Sequence, residues 1–86
     1  MLSSVSGTVA QLRANEVVVE VAGIGLQVNI TPRHSLALRV GEQANLVTRL
    51  VVREDDLSLF GFQTAAEREQ FDLLCSVSGI GPKLAL

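Results

Sequence analysis

The stretch Val17-Val18-Val19-Glu20-Val21-Ala22-Gly23-Ile24-Gly25-Leu26-Gln27-Val28-Asn29-Ile30 decides how the chain folds. In its second part Leu26, Val28 and Ile30 alternate with Gln27 and Asn29, the period-two pattern of a strand with one dry and one wet face. In its first part four of the five residues Val17 to Val21 are β-branched, which suits a pleated surface better than a helix. Ala22-Gly23-Ile24-Gly25 separates the two runs, and glycines at that spacing permit positive φ or a bulge. Residues 16–31 are therefore expected to form an antiparallel hairpin.

Working outward, a first strand is expected over about Val5 to Leu12, turning at Ala14-Asn15. Pro32 to Val40 reads as a connector, with Pro32 starting a short helix, Gly41 ending it and Leu36 pointing into the core. Leu46 to Arg53 returns to strand, with Leu46, Leu50 and Val52 on one face and Val47, Arg49, Val51 and Arg53 on the other. Glu54-Asp55-Asp56 breaks it, and Leu57 to Phe62 runs back antiparallel. Five short strands with a small helix before the fourth predict a closed or nearly closed β-barrel, because closure removes exposed edges.

After Gly61 the period changes from 2 to 3.6. Thr64-Ala65-Ala66-Glu67 is a capping box, and the helix it opens puts Phe71, Leu74 and Cys75 on one face. That helix is expected to end near Val77-Ser78, before Gly79-Ile80-Gly81-Pro82-Lys83. Two glycines there leave backbone N–H groups unshielded, and Pro82 suits the first position of a following helix. Amides converging on a helix start, with Lys83 beside them, suit a backbone phosphate. A plain turn between helices is the competing reading. The G-K-[ST] ending of a phosphate-binding loop is absent, as is the third glycine of a dinucleotide fingerprint.

The composition narrows the function classes. With 86 residues, 48% hydrophobic and 19% charged, the chain holds one small domain with a modest addition, burying roughly 60% of its unfolded surface, so oligomerisation is a reasonable expectation. A net charge of −2 excludes wholesale basic nucleic-acid binding, and 3% aromatics exclude a base-stacking platform. Cys75 is the single cysteine and cannot pair within the chain, which together with the absence of a signal-peptide pattern leads us to expect a cytoplasmic protein. No run approaches the ~18 uncharged apolar residues of a membrane span.

Glu54-Asp55-Asp56 reads most simply as a solvated turn. As a catalytic pair or metal site it is poor, since neighbours on an extended segment face opposite ways and no further ligand lies near. An acidic loop on a phosphate-gripping protein would instead repel DNA from one place. His34 is expected at the surface, and Cys75 as a small buried hydrophobe. Arg49 and Arg53 share a strand face and either offset the acidic loop or contact phosphate. No nucleophile, base and oxyanion set can be assembled, and no cofactor is expected.

Val51-Val52-Arg53-Glu54-Asp55, Leu59-Phe60-Gly61-Phe62 and Gly79-Ile80-Gly81-Pro82-Lys83-Leu84-Ala85-Leu86, with Ala22-Gly23-Ile24-Gly25 upstream, resemble the amino-terminal part of the RuvA family of bacterial Holliday-junction-binding proteins. The resemblance runs through essentially the whole chain in order and spacing. It implies an oligonucleotide-binding-type barrel over 1–63 and the first helix-hairpin-helix, truncated, over 64–86. It further implies a homotetramer that holds a four-way junction by structure rather than sequence, and that loads the RuvB motor for branch migration in recombination, repair and the response to DNA damage. On this resemblance the phosphate-binding hairpin falls on Gly79, Ile80, Gly81 and Lys83, and the acidic pin at the junction centre on Glu54 and Asp55, with Asp56 an additional carboxylate. Leu26 and Phe60 stand where members often carry Tyr, and residues 1–7 lack the basic residue some relatives have. The family continues into a second hairpin and a carboxy-terminal domain, so an amino-terminal piece is expected. A barrel used only for assembly, with the hairpin as a turn, is the alternative.

Overall fold

The computed structural model describes residues 1–77, 81, 82 and 86. Five strands close into a barrel in the order β1-β2-β3-β5-β4. They are β1 (Ser4–Arg13), β2 (Glu16–Val21), β3 (Ile24–Asn29), β4 (Gln43–Val52) and β5 (Leu57–Phe62), with α1 (Pro32–Leu36) between β3 and β4 and α2 (Ala65–Cys75) after β5. The alternation seen in the sequence becomes the barrel wall. Val5, Val9, Val17, Val19, Val28, Ile30, Ala44, Leu46 and Leu59 point inward and are buried together. At about 25 cal/mol per Å² of apolar surface removed from water, such an aliphatic interior supplies the main stabilisation of a domain this small.

Closure depends on two sharings. β1 pairs with β4 through Ser4 to Thr8 and with β2 from Thr8 onward. Between Val9 and Gln11 the register with β2 slips by one residue, a bulge that bends β1 as it passes from one partner to the other. The seam between β3 and β5 is a single parallel pair, Asn29 with Phe60, reinforced by Asn29 Nδ2 donating to the Leu59 carbonyl at 3.1 Å.

The β2–β3 hairpin turns through Ala22 and Gly23, with Val21 paired to Ile24. Both loop residues have positive φ, 52° and 84°, the type I′ pattern whose twist matches that of the strands. Gly23 adopts this freely, whereas Ala22 carries a cost of about 1–2 kcal/mol. Of the two options the glycines left open, positive φ or a bulge, the turn uses the first, at Gly23, while Gly25 is an ordinary strand residue opposite Glu20.

The connector corrects two expectations. Leu36 is 87% exposed rather than in the core, while His34, expected at the surface, is 4% exposed. Thr31 caps α1 by accepting from the His34 N–H at 3.1 Å, and Ser35 Oγ donates to the Arg13 carbonyl at 2.6 Å. These bonds turn the His34–Ser35 side of the helix onto the barrel, and Leu36, about 200° round from His34, must face solvent. Burial pushes the His34 imidazole below its ordinary 6.5, against the opposing influence of Glu67 and a backbone hydrogen bond with Gly61. Its Nδ1 has no partner among the described residues.

Candidate nucleic-acid interface

β4 is ten residues long, but β1 covers only Gln43 to Val47 of it. Beyond that point β4 pairs with β5 alone, through to Val52 opposite Leu57. Leu50 and Leu59 still pack on the barrel interior, and the ribbon projects past it as a two-stranded arm only at its far end, where Val52 and Leu57 are 63% and 67% exposed. Arg53, Glu54, Asp55 and Asp56 close the arm and are all exposed. The Arg53 N–H donates to the Asp56 carbonyl at 2.8 Å, which ties the loop across its base. Ser58 Oγ donates to Asp56 Oδ2 at 3.0 Å, so Asp56 is held against the strand. Glu54 and Asp55 occupy the tip, where three neighbouring carboxylates repel one another and keep the loop in water. Among the described residues no group of three or more His, Cys, Asp or Glu is placed to hold a metal ion.

The outer face of β4 and β5 is covered by α2. Thr64 caps this helix by accepting from the Glu67 N–H at 3.2 Å, the first half of the capping box, and the helix stops at Ser76. Phe71 packs between Phe60 and Phe62, with ring centroids 5.1 and 5.0 Å away, and Val47, Val51, half-buried Cys75 and Leu86 pack against the cluster. Leu74, expected on the same apolar face, is largely exposed. Arg49 donates to both carboxylate oxygens of Asp72, Nε to Oδ1 at 2.9 Å and Nη2 to Oδ2 at 2.6 Å. This bidentate pair pushes the Arg49 guanidinium further above its ordinary range. Arg68 reaches from α2 to the carbonyls of Ser3, at 3.0 Å, and Thr48, at 3.4 Å. Thr48 is itself fully buried, its hydroxyl donating to the Leu2 carbonyl at 2.6 Å.

Sequence reasoning missed this second layer. The signal was present in Leu57-Ser58-Leu59-Phe60-Gly61-Phe62, where both faces are apolar, because such a strand has to be covered on both sides. Of the four hairpin positions singled out in the sequence, Gly81 is described and exposed, with Pro82 following it. Gly79, Ile80 and Lys83 lie outside the described residues. The arm therefore brings Glu54 and Asp55 together at one tip, while Gly81 and Pro82 line a depression that reaches Arg53, Asp56 and Ser58 on the arm.

The family model described as the RuvA N terminal domain matches residues 1–61. The chain belongs to this family. It is 51% identical over 86 residues to the Holliday junction branch migration complex subunit RuvA of Clavibacter michiganensis subsp. michiganensis, covering all of this chain and 40% of that protein. The subunits of the same name from Streptomyces griseus and Mycobacterium leprae are 55% and 50% identical over 86 residues, with 41% and 42% of their lengths covered. The chain thus spans about two fifths of the length of the curated RuvA relatives it matches. Phe60 is buried in the aromatic cluster and Leu26 packs against the barrel interior, so both positions serve packing here. Among the described residues no helix is long and apolar enough to cross a membrane.

Proposed function

We propose that this chain is the junction-engaging part of a non-catalytic, cytoplasmic DNA-binding subunit of a branch-migration complex. It recognises four-way junctions by their shape, as a homotetramer, and works with a RuvB motor through a region outside these 86 residues. The observation that carries the reading is the β4–β5 arm, which holds Glu54 and Asp55 in water at the end of a ribbon braced by α2. Membership of the RuvA N-terminal domain family and the names of the relatives support it.

In this reading residues 1–63 form the barrel domain and 64–86 begin a helix-hairpin-helix. Gly79, Ile80, Gly81 and Lys83 hold a backbone phosphate through amides and one mobile charge, contacts that position DNA without reading its sequence. Four-fold assembly brings four acidic tips to the centre of an open junction, where the strands are separated, and the same tips oppose an unbroken duplex laid across the face. A carboxylate held ~4 Å from a phosphate costs about 1 kcal/mol in water, so the effect comes from the number of carboxylates gathered.

The test is a mobility-shift comparison of four-way junction and linear duplex at two salt concentrations, using the complete gene product that carries this sequence. Wild type should prefer the junction. Glu54→Lys with Asp55→Lys should raise duplex affinity by up to about 4 kcal/mol at low salt, roughly a thousandfold, per protomer in contact, because each reversal removes a repulsion and adds an attraction of similar size. Unchanged duplex affinity would remove Glu54 and Asp55 from the role of pin, and equal binding of junction and duplex by wild type would favour a barrel that serves assembly alone.

A further inference from the structure

Two arginines lie on the outer side of the ribbon, Arg49 within β4 and Arg53 just past its end, and their surroundings differ. Arg49 is neutralised by the bidentate contact with Asp72. Arg53, four residues on and at the root of the acidic loop, has no carboxylate within ion-pair distance among the described residues, and its side chain makes no hydrogen bond there. It lines a depression of about 200 Å³ together with Val51 and Phe60 of the strands and Gly81 and Pro82. A second depression shares Val51, Arg53 and Pro82 and extends along β4 to Arg49 and Asp72, so the two are contiguous between the arm and α2. Among the described residues, none outside the chain neighbours of Gly81 has an atom within 4 Å of the place a Cβ would take there.

From this placement we infer that the cleft between the β4–β5 arm and Gly81–Pro82 is a subsite for one backbone phosphate of the bound DNA, with the Arg53 guanidinium as its cationic contact. The inference rests on the junction-binding reading and adds a residue to it. A strand turned aside at Glu54 and Asp55 must leave the tip along one flank of the arm, and the flank facing α2 is the one that offers an uncommitted cation beside an unobstructed backbone. Guanidinium suits the role because its planar fork takes a phosphate through two parallel hydrogen bonds. Asp56 also lines the cleft, but Ser58 holds its carboxylate and it does not reach Arg53. Its charge weakens the site for a free anion, so the phosphate must be delivered as part of a strand held elsewhere.

The competing role for Arg53 is to offset the charge of Glu54 and Asp55, and a double-mutant comparison separates the two. In the complete gene product, Arg53→Ala should weaken junction binding by about tenfold or more. It should also reduce the slope of log affinity against log salt by about 0.9 for each phosphate that is no longer neutralised, and Arg53→Lys should restore part of the affinity. The decisive arm repeats Arg53→Ala in a Glu54→Gln, Asp55→Gln background. A phosphate contact predicts the same loss of affinity there. A loss confined to the acidic background would show that Arg53 only offsets the tip and would overturn the inference, as would unchanged affinity and slope in both backgrounds. Equal binding of junction and duplex by the unsubstituted protein is a different failure: it sinks the junction reading, and with it this subsite, before any substitution is made. Because Arg53 is exposed and its side chain unbonded among the described residues, these variants should keep the melting temperature of wild type.

Discussion

The inside and the outside of the barrel wall are packed by different chemistry. Inside, the buried side chains are Val, Leu, Ile and Ala, contributed by all five strands. Outside, all three phenylalanines of the chain meet in one cluster, where Phe71 of α2 sits on Phe60 and Phe62 of β5. The interior is narrow, and β-branched residues fill it with little loss of side-chain freedom. The exterior cluster joins two elements across a gap that only large flat rings span, and tilted ring pairs about 5 Å apart add to the burial itself. One layer makes the barrel, and the other fixes α2, and whatever follows it, to the barrel beside the arm.

If that division is real, equally large truncations in the two layers should fail differently. Phe71→Ala should cost about 3–5 kcal/mol of α2 docking, and Leu46→Ala about 2–5 kcal/mol of the barrel itself. Hydrogen exchange should then show α2 losing protection while the strands keep theirs in the first variant, and loss throughout in the second. Uniform loss in both would mean that the two layers form one cooperative unit.

A smaller effect is expected at Gly61, which lies between the layers. A Cβ there would stand 2.7 Å from Val28 Cγ1, 3.1 Å from Leu46 Cδ2 and 3.2 Å from Ile30 Cγ2, so the strand that carries the aromatics outward has no room for a side chain inward. Gly61→Ala should cost about 1–3 kcal/mol by overpacking, read as a lower denaturant midpoint. An unchanged midpoint would show that the interior yields more than its stiff branched side chains suggest.

The smallest effect concerns pH. His34 lies where α1 meets β5, with the Glu67 charge of α2 bearing on it, and burial lowers its affinity for a proton in the folded state. The unfolded chain then binds more protons below pH 6.5, so the stability contributed by neutral His34 is complete above that value and is lost as the pH falls through it. Melting temperature should drop between pH 7 and 5.5 by less in His34→Gln than in wild type. Parallel curves would place the pH dependence elsewhere.

Much of this was legible from local pattern. The alternation at Leu26 to Ile30, the Thr64 cap and the change of period after Gly61 identify elements whose bounds differ from those observed by only a residue or two. The arm and its acidic tip were also readable, because Glu54-Asp55-Asp56 cannot continue a strand and the residues on either side can. The side of α1 that packs was not. Hydropathy favours Leu36 over His34, yet the bonds from Thr31 and Ser35 decide it, and one of them reaches back to Arg13.

The sequence by itself determined the strands, the turns and the charge at the tip, since each follows from side-chain period or from repulsion between neighbours and needs only nearby residues. Only the folded molecule fixed where the expected closure falls, at the single pair Asn29–Phe60, as well as the covering of Phe60 and Phe62 by Phe71 and the choice of Asp72 by Arg49 that leaves Arg53 uncommitted among the described residues. These are meetings of residues far apart in the chain. Their free energy depends on which surfaces the barrel brings together once it has closed, and no local pattern records that.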